Sequence, residues 1–353
     1  MSLQIIRAQN ALDRLDAFSV IIDARSEDEY ALDHLPGAVN WPTLSNEERR
    51  IVGTTYKQIS SFEARKRGAA MAAHNIARHI EREVIQLPTD WQPLLYCWRG
   101  GKRSGALALI LDQIGFKVTL IEGGYKAFRA AYVSDTPQRV GQLSLRVVCG
   151  PTGSGKTRLL QALERAGAQV LDLEALACHR SSVLGQIPGQ EQPTQKAFET
   201  RVWNALRRID PSRPVYVESE SKKVGNVAVP ESLMATMRAS PCISLCLPEE
   251  ERVALLMEDY AFFVQNINML CERLGVLISL RGKAIVGEWQ RKLQAGEVQE
   301  VVRDLLRQHY DPGYGQSIGR NFSLHHAAIT IAADDHSTEA FDRLALKLRA
   351  EET

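Results

Sequence analysis

Two short stretches of this 353-residue chain carry side chains whose types and spacing suit chemistry on anions. In YCWRGGKRS, residues 96–104, Cys97 closes an apolar run and is followed by Arg99, Gly100, Gly101, Lys102 and Arg103. A thiol is a nucleophile as its thiolate, which nearby cations and inward-turned N–H groups stabilise. In GPTGSGKT, residues 150–157, the pattern G-x-x-x-x-G-K-[ST] is complete in Gly150, Gly155, Lys156 and Thr157. Gly150, Gly153 and Gly155 let the backbone around Ser154 curl so that amides face phosphate oxygens. The following helix adds its positive end, Lys156 supplies charge, and Thr157 can ligate magnesium. That match implies a bound phosphate without saying which molecule bears it. PVYVESES, 214–221, supplies an acidic strand, with Glu218 or Glu220 near such a metal.

The cysteine loop admits two chemistries. Cys97 and Arg103 have the Cys-x5-Arg spacing of cysteine phosphatases, whose bowl holds a phosphoryl group, yet Tyr96 stands where those enzymes usually have histidine. In chalcogen transfer the bowl holds a persulfide or perselenide. A plain buried strand-end cysteine is the bland alternative, and three neighbouring cations argue against it. Of the other cysteines, Cys242 and Cys246 read as core of an apolar strand, Cys149 precedes the phosphate loop and Cys271 lies in a helical run. Cys178 and His179 are adjacent, which suits neither a zinc site nor a catalytic pair by spacing. No metal site emerges from the cysteines and histidines.

The elements that position both loops alternate. FSVIIDAR, PLLYC and FKVTLIEGG read as strands, SEDEYALD, SGALALILDQIG and YKAFRAAYV as helices, so Cys97 sits at the carboxyl end of a strand in a parallel sheet, where ligands bind. The polar stretch 134–142 reads as a break between domains. LSLRVVC, AQVLDL, PVYVES and CISLCL predict a second sheet, RLLQALERAG the helix after the phosphate loop, and the chain from residue 248 to about 310 is helical in pattern.

The length implies two cores. At 44% hydrophobic and 24% charged residues, with no apolar run long enough to span a bilayer, no membrane segment is expected, and the start lacks the marks of a secretory signal. With six scattered cysteines, this gives a reduced, cytoplasmic expectation. A net charge of +1 announces no nucleic-acid binder. One basic cluster stands out locally: Arg49, Arg50, Lys57 and ARKRG at 64–68.

VIIDARSEDEYALDHLPGAVNWP at 20–42, the cysteine loop and LIEGGYKAFRAA at 120–131 together resemble a rhodanese domain. Asp23, Arg25, His34, Pro36, Gly37, Ala38, Asn40, Gly123 and Gly124 stand in order. Asp33 departs from the glycine many rhodaneses carry there, as does a long helical insertion between Trp41 and Pro93. A rhodanese domain followed by a P-loop domain is similar to the tRNA 2-selenouridine synthase family. DLEALACHRSS (172–182), VYVESESKKVGNVAVP (215–230), PEEERVALLMEDY (248–260) and HYDPGYGQS (309–317) resemble its C-terminal domain, with Ser181 where glycine is expected.

The resemblance implies an α/β protein: a rhodanese-like parallel-sheet domain over 1–136, a linker at 137–142, and a P-loop α/β domain with a helical C-terminal part over 143–353. It implies selenation of the wobble 2-thiouridine of tRNA with selenophosphate, by way of an S-geranyl nucleoside made from geranyl diphosphate, with no tightly bound cofactor. Cys97 would accept selenium as a perselenide, Arg99 to Arg103 would hold the phosphate end, and residues 150–157 the diphosphate, with magnesium on Thr157. The tRNA would lie on the basic insertion and on Lys222 and Lys223, and the enzyme that makes selenophosphate would be the supplier. Two rivals predict different behaviour: an ATP-dependent tRNA thiolase working through a Cys97 persulfide, and a regulatory module indifferent to Cys97.

Overall fold

The computed structural model describes residues 3–182 and 184–351. The chain forms two compact units, one of residues up to Gln138 with Pro193–Arg207, the other of Arg139–Gln192 with the rest from Arg208.

The first unit holds five parallel strands in the order β1-β5-β4-β2-β3: β1 (Gln4–Arg7), β2 (Val20–Asp23), β3 (Ala38–Asn40), β4 (Pro93–Tyr96) and β5 (Thr119–Glu122). Side chains alternate across a strand, so neighbouring residues feed opposite cores. Ile22 and Leu95 join Trp41, Ile76, Leu107 and Leu111 on one face. Ile21 and Leu94 join Leu12, Phe128, Tyr132 and Trp203 on the other. Strands buried on both faces read as continuous apolar runs, as VIID and PLLY do. The short β1 and β3 carry no such signal.

The division between the units at Gln138 and Arg139 falls inside the expected linker 137–142, but the segment is helical rather than loop: helix Gly124–Val140 runs through Pro137. Packing outweighs the proline. Trp203 Nε1 donates to Asp135 at 2.8 Å, and the Thr136 hydroxyl donates to the Tyr132 carbonyl at 2.8 Å. Trp203 belongs to helix Gln195–Leu206, which the expected boundary placed in the second domain but which packs into the first unit. Its indole is fully buried against Phe128 and Tyr132.

Asp33 explains its own departure from glycine. It is 2% exposed, and its carboxylate accepts from Tyr125 (2.7 Å) and from Thr200 (3.0 Å) of helix Gln195–Leu206, while its carbonyl accepts from Arg25 (2.6 Å). Burial raises its pKa, against the pull of those two hydroxyls. Asp33→Ala leaves the Tyr125 hydroxyl without its acceptor and Thr200 with only the Tyr132 hydroxyl at 3.0 Å. We expect a loss of about 2 kcal/mol and a melting transition several degrees lower in calorimetry; an unchanged transition would show that the carboxylate is not what holds this helix.

The second unit's sheet is also parallel, in the order β12-β11-β6-β8-β7, from β6 (Leu145–Cys149), β7 (Gln169–Leu171), β8 (Val215–Glu218), β11 (Cys242–Cys246) and β12 (Ile329–Ala332). A small hairpin, β9 (Lys223–Val224) and β10 (Val227–Ala228), carries Lys223. Leu159 and Leu163 of helix Lys156–Arg165 pack with Phe341 and Leu348 of helix Thr338–Ala350. Helices extend from Glu249 to Asn321 around Phe263, Leu274, Trp289 and Val301. Cys242 is buried, but Cys246, expected in the core, is exposed at the carboxyl end of β11. Among the described residues no helix is long and apolar enough to cross a membrane.

Candidate functional site

Cys97 follows β4 directly and is 3% exposed. Its loop is shaped from behind. The Cys97 carbonyl accepts from Tyr125 N–H (2.8 Å) and the Trp98 carbonyl from Lys126 N–H (3.0 Å), both at the start of helix Gly124–Val140. A trans peptide points its N–H opposite its C=O, so the amides of Trp98 and Arg99 face away from that helix. Among the described residues no acceptor meets the backbone N–H of Trp98 through Arg103. That row of free donors runs into helix Lys102–Ile114, capped by Gly101 at φ +68°. Gly124 is needed for the close approach: with φ +58°, a Cβ there would lie 2.2 Å from the Cys97 carbonyl oxygen.

The expected cations differ in their freedom. Arg99 and Lys102 are exposed, whereas Arg103 is engaged by Glu29 at 2.6 Å. Burial pushes the Glu29 carboxyl up, but Arg103, with Arg49 at 3.4 Å, holds it below the usual range. Glu29, which the sequence did not single out, thus aims Arg103. Tyr96 is fully buried; its hydroxyl accepts from Leu35 N–H (3.1 Å) and its ring lies under the Arg25 guanidinium. Arg25 is locked to Asp23 at 2.6 Å. Tyr96 is therefore a strut, and the loop lacks the histidine expected of a phosphatase.

In the second unit the phosphate loop lies between β6 and helix Lys156–Arg165. Gly153 and Gly155 have φ of +77° and +85°, and a Cβ on Gly155 would meet Phe341 at 2.2 Å. The N–H groups of Gly153, Gly155, Lys156 and Thr157 meet no acceptor among the described residues, and the Ser154 hydroxyl is buried without a partner. Lys156 Nζ lies across the loop, 3.0 Å from the Gly150 carbonyl and 3.5 Å from Glu218. Arg252, 7% exposed, draws the Thr152 carbonyl outward (2.7 Å) and pairs with Asp311 (2.6 Å). The segments around residues 252 and 311 thus fix the loop from outside.

Thr157 Oγ1 lies 3.2 Å from Glu218 and 3.4 Å from Glu174. Carboxylate oxygens of Glu174, Glu218 and Glu220 lie within 4.8 Å of one another. Burial first, then mutual repulsion, pushes Glu174 and Glu220 well above the usual carboxylate range, and burial likewise raises Glu218. Lys156 alone cannot neutralise three such groups, so oxygen donors in this arrangement fit a divalent cation such as magnesium. Glu174 escaped the sequence reading because nothing marks a helix-start glutamate 44 residues before its partner at 218. Ser181 sits at φ +30°, which explains why glycine suits that position, and its hydroxyl donates to Glu220. His179 is 9% exposed with Nδ1 unpartnered, and burial, then Arg273, lowers its pKa.

The cleft above the loop encloses about 510 Å³ and is lined also by Arg180, Tyr260, Arg281, His309 and Tyr314. Beside it lies a small apolar pocket of about 60 Å³ among Phe263, Leu270, Val298, Val301 and Leu305; Thr152, Ser182, Leu256, Tyr260 and Tyr310 border both.

Beside the cleft, His336 bonds Glu251 and Glu258, and Arg158 reaches both Glu258 and the His336 carbonyl at 2.8 Å. The Glu251 hydrogen bond raises the His336 pKa above 6.5, partly against burial, and both glutamates are held below 4.5. A raised histidine stabilises the fold fully below its unfolded value, and that contribution fades as pH rises through the folded one. Wild type should therefore melt above His336→Gln by most between the ordinary glutamate and histidine values, and by progressively less at higher pH. A gap that widens with pH would contradict the pairing.

Residues 7–131 match the rhodanese-like domain family and residues 143–276 the tRNA 2-selenouridine synthase AAA domain. A tRNA 2-selenouridine synthase of Marinobacter nauticus is 32% identical over 344 residues, covering 91% of this chain and 87% of that protein. One of Alcanivorax borkumensis is 35% identical, covering 85% and 90%. One of Nitrosomonas europaea is 39% identical over 244 residues, 68% of this chain but only 63% of that protein's length. With both domains matched in order and near-full-length relatives above 30% identity, the chain belongs to the tRNA 2-selenouridine synthase family.

Proposed function

We propose that this protein replaces the 2-thio sulfur of a wobble uridine in tRNA by selenium, in two steps divided between its two anion sites. The phosphate loop binds the diphosphate of geranyl diphosphate, and the uridine sulfur attacks the allylic carbon as diphosphate departs. At Cys97, whose loop holds selenophosphate, selenium then takes the place of the alkylated sulfur. The second exchange balances without an external oxidant: S-geranyl nucleoside, selenophosphate and water give selenouridine, geranyl thiol and phosphate. An alkylated sulfur leaves as a thiol more readily than a thiocarbonyl sulfur does.

The observation that carries the geranyl reading is the apolar pocket that adjoins the phosphate cleft and shares Leu256 and Tyr260 with it. The chain of a diphosphate seated on the loop amides and Lys156 would lie in the cleft of about 510 Å³ against Leu256, Tyr260 and Tyr310, with the smaller apolar pocket beyond them, a lining that suits hydrocarbon rather than a ribose. Departure of an anionic diphosphate needs fixed positive charge, which the loop dipoles and Lys156 provide. Thr157, Glu174, Glu218 and Glu220 would hold magnesium, which adds charge stabilisation for the same leaving group. Exposed Lys222 and Lys223, with the basic insertion, are the proposed tRNA contacts. The setting is cytoplasmic, with the selenophosphate-making enzyme as supplier.

The test is nucleoside mass spectrometry on 2-thiouridine tRNA given geranyl diphosphate and selenophosphate, separately and together. The reading expects the S-geranyl nucleoside with the first alone and 2-selenouridine with both. If neither appears, and ATP with a sulfur donor modifies the tRNA instead, a thiolase takes its place.

A further inference from the structure

The insertion between β3 and β4 forms an arm of two helices, Asn46–Gln58 and Ser61–His79, each opened by a serine cap. They pack along each other, Gly68 against Val52, yet the first helix buries only Thr55 and the second only Ala64 and Ile76. Anchoring contacts cluster at the base: Asn75 donates to Glu48 (2.6 Å) and to the Thr43 carbonyl (3.3 Å), and His79 meets the Pro42 carbonyl and stacks on Trp41. At the far end no such ties occur among the described residues. There Tyr56, Ile59 and Phe62 are 63%, 62% and 62% exposed, within seven residues across the turn. Solitary exposed apolar residues are ordinary, but three large ones at a projecting tip are not.

The charge around this tip selects its partner. Between residues 49 and 67 stand Arg49, Arg50, Lys57, Arg65, Lys66 and Arg67 against Glu63 alone. Lys57, Arg65 and Arg67 have no acidic partner among the described residues. Lys66 lies over one face of the Phe62 ring at 5.1 Å, leaving the other. Exposed aromatic faces set among unpaired cations form a platform for unstacked bases, with the cations tracking the phosphates. The arm also rises beside the cysteine loop: Arg49 at its base shares Glu29 with Arg103. From Arg49 to Tyr56 the helix climbs ~10 Å, on the scale of one or two splayed nucleotides.

We infer that the arm tip is a base-stacking site for single-stranded RNA, in which Tyr56 and Phe62 take the bases flanking the nucleotide presented to Cys97. This rests on the tRNA reading above and adds to it the residues that grip the loop. The tip binds bases, whereas Lys57 and Arg67 bind the backbone.

The test measures binding by fluorescence anisotropy to three probes: full-length tRNA, an anticodon stem–loop, and a duplex of the same stem without the loop. The double variant Tyr56→Ala/Phe62→Ala should bind the stem–loop about 10- to 100-fold more weakly, bind the duplex as wild type does, and keep the wild-type salt slope. Tyr56→Phe/Phe62→Trp should restore binding. Lys57→Ala/Arg67→Ala should instead lower the salt slope for every probe. Stem–loop binding within twofold of wild type in the double alanine variant overturns the proposal and leaves the tip to a protein partner. Equal losses on stem–loop and duplex also overturn it, since stacking would not be the contact. Wild type failing to bind full-length tRNA would instead sink the tRNA reading itself.

Discussion

Cys97→Ser should stop the reaction at the S-geranyl nucleoside. The variant keeps the loop that seats the anion, since the Cys97 and Trp98 carbonyls that anchor it belong to the backbone, and serine fits a position 3% exposed. What it loses is the thiolate, a nucleophile that can displace geranyl thiol at the uridine C2 and is itself displaced there by the selenium of selenophosphate, with no change of oxidation state. A hydroxyl ionises far less readily than a thiol, and its oxygen leaves C2 less readily than sulfur does. We expect 2-selenouridine formation to fall by at least about 1000-fold, while S-geranyl nucleoside accumulates at the wild-type rate. Mass spectrometry of the digested tRNA reads both products in one sample, and a melting temperature near wild type excludes unfolding. Selenouridine forming at a near-normal rate would remove Cys97 from the chemistry and reduce its loop to an anion seat.

Both loops were legible in the sequence because each is local: glycines, cations and a nucleophile or lysine within nine residues, at the end of an apolar strand. The central strands were equally legible, since burial on both faces writes an unbroken apolar run. What was lost depended on distance. Helix Gln195–Leu206 has an ordinary amphipathic pattern, and nothing in it says that Trp203 packs on Phe128 rather than on its own neighbours in sequence. That docking also keeps residues 134–140 helical despite Pro137, so the helical character of the linker and the misassigned helix share one cause. Asp33 reads in sequence as a mere departure from pattern because its partner Thr200 lies 167 residues away.

The acidic cluster was half legible. Glu218 and Glu220 stand on a recognisable strand, but Glu174 joins them only through the sheet order that places β7 beside β8. The apolar pocket is similarly assembled from helices that each read as ordinary core. Four-residue β12 and three-residue β3 are too short to carry a period, and only pairing with β11 and β2 defines them.

Lys156→Ala should produce the complementary failure. Lys156 is the cation set across the loop, 3.5 Å from Glu218, and removing it takes the charge that balances both a departing diphosphate and the buried carboxylates. Loss of one preorganised donor at such a site costs about 100- to 1000-fold in rate, so geranyl transfer should fall by that much and selenouridine with it. The diagnostic step is to supply tRNA already carrying the S-geranyl nucleoside. Because the second exchange is assigned to Cys97 in the other unit, Lys156→Ala should then make 2-selenouridine at close to the wild-type rate, and Cys97→Ser should make none. ATP should neither be required nor be consumed in either step. If Lys156→Ala keeps geranyl transfer within a few-fold of wild type, the diphosphate does not lie on this loop. If it fails even with S-geranyl tRNA, the two sites do not divide the work, and the loop acts on selenium entry as well.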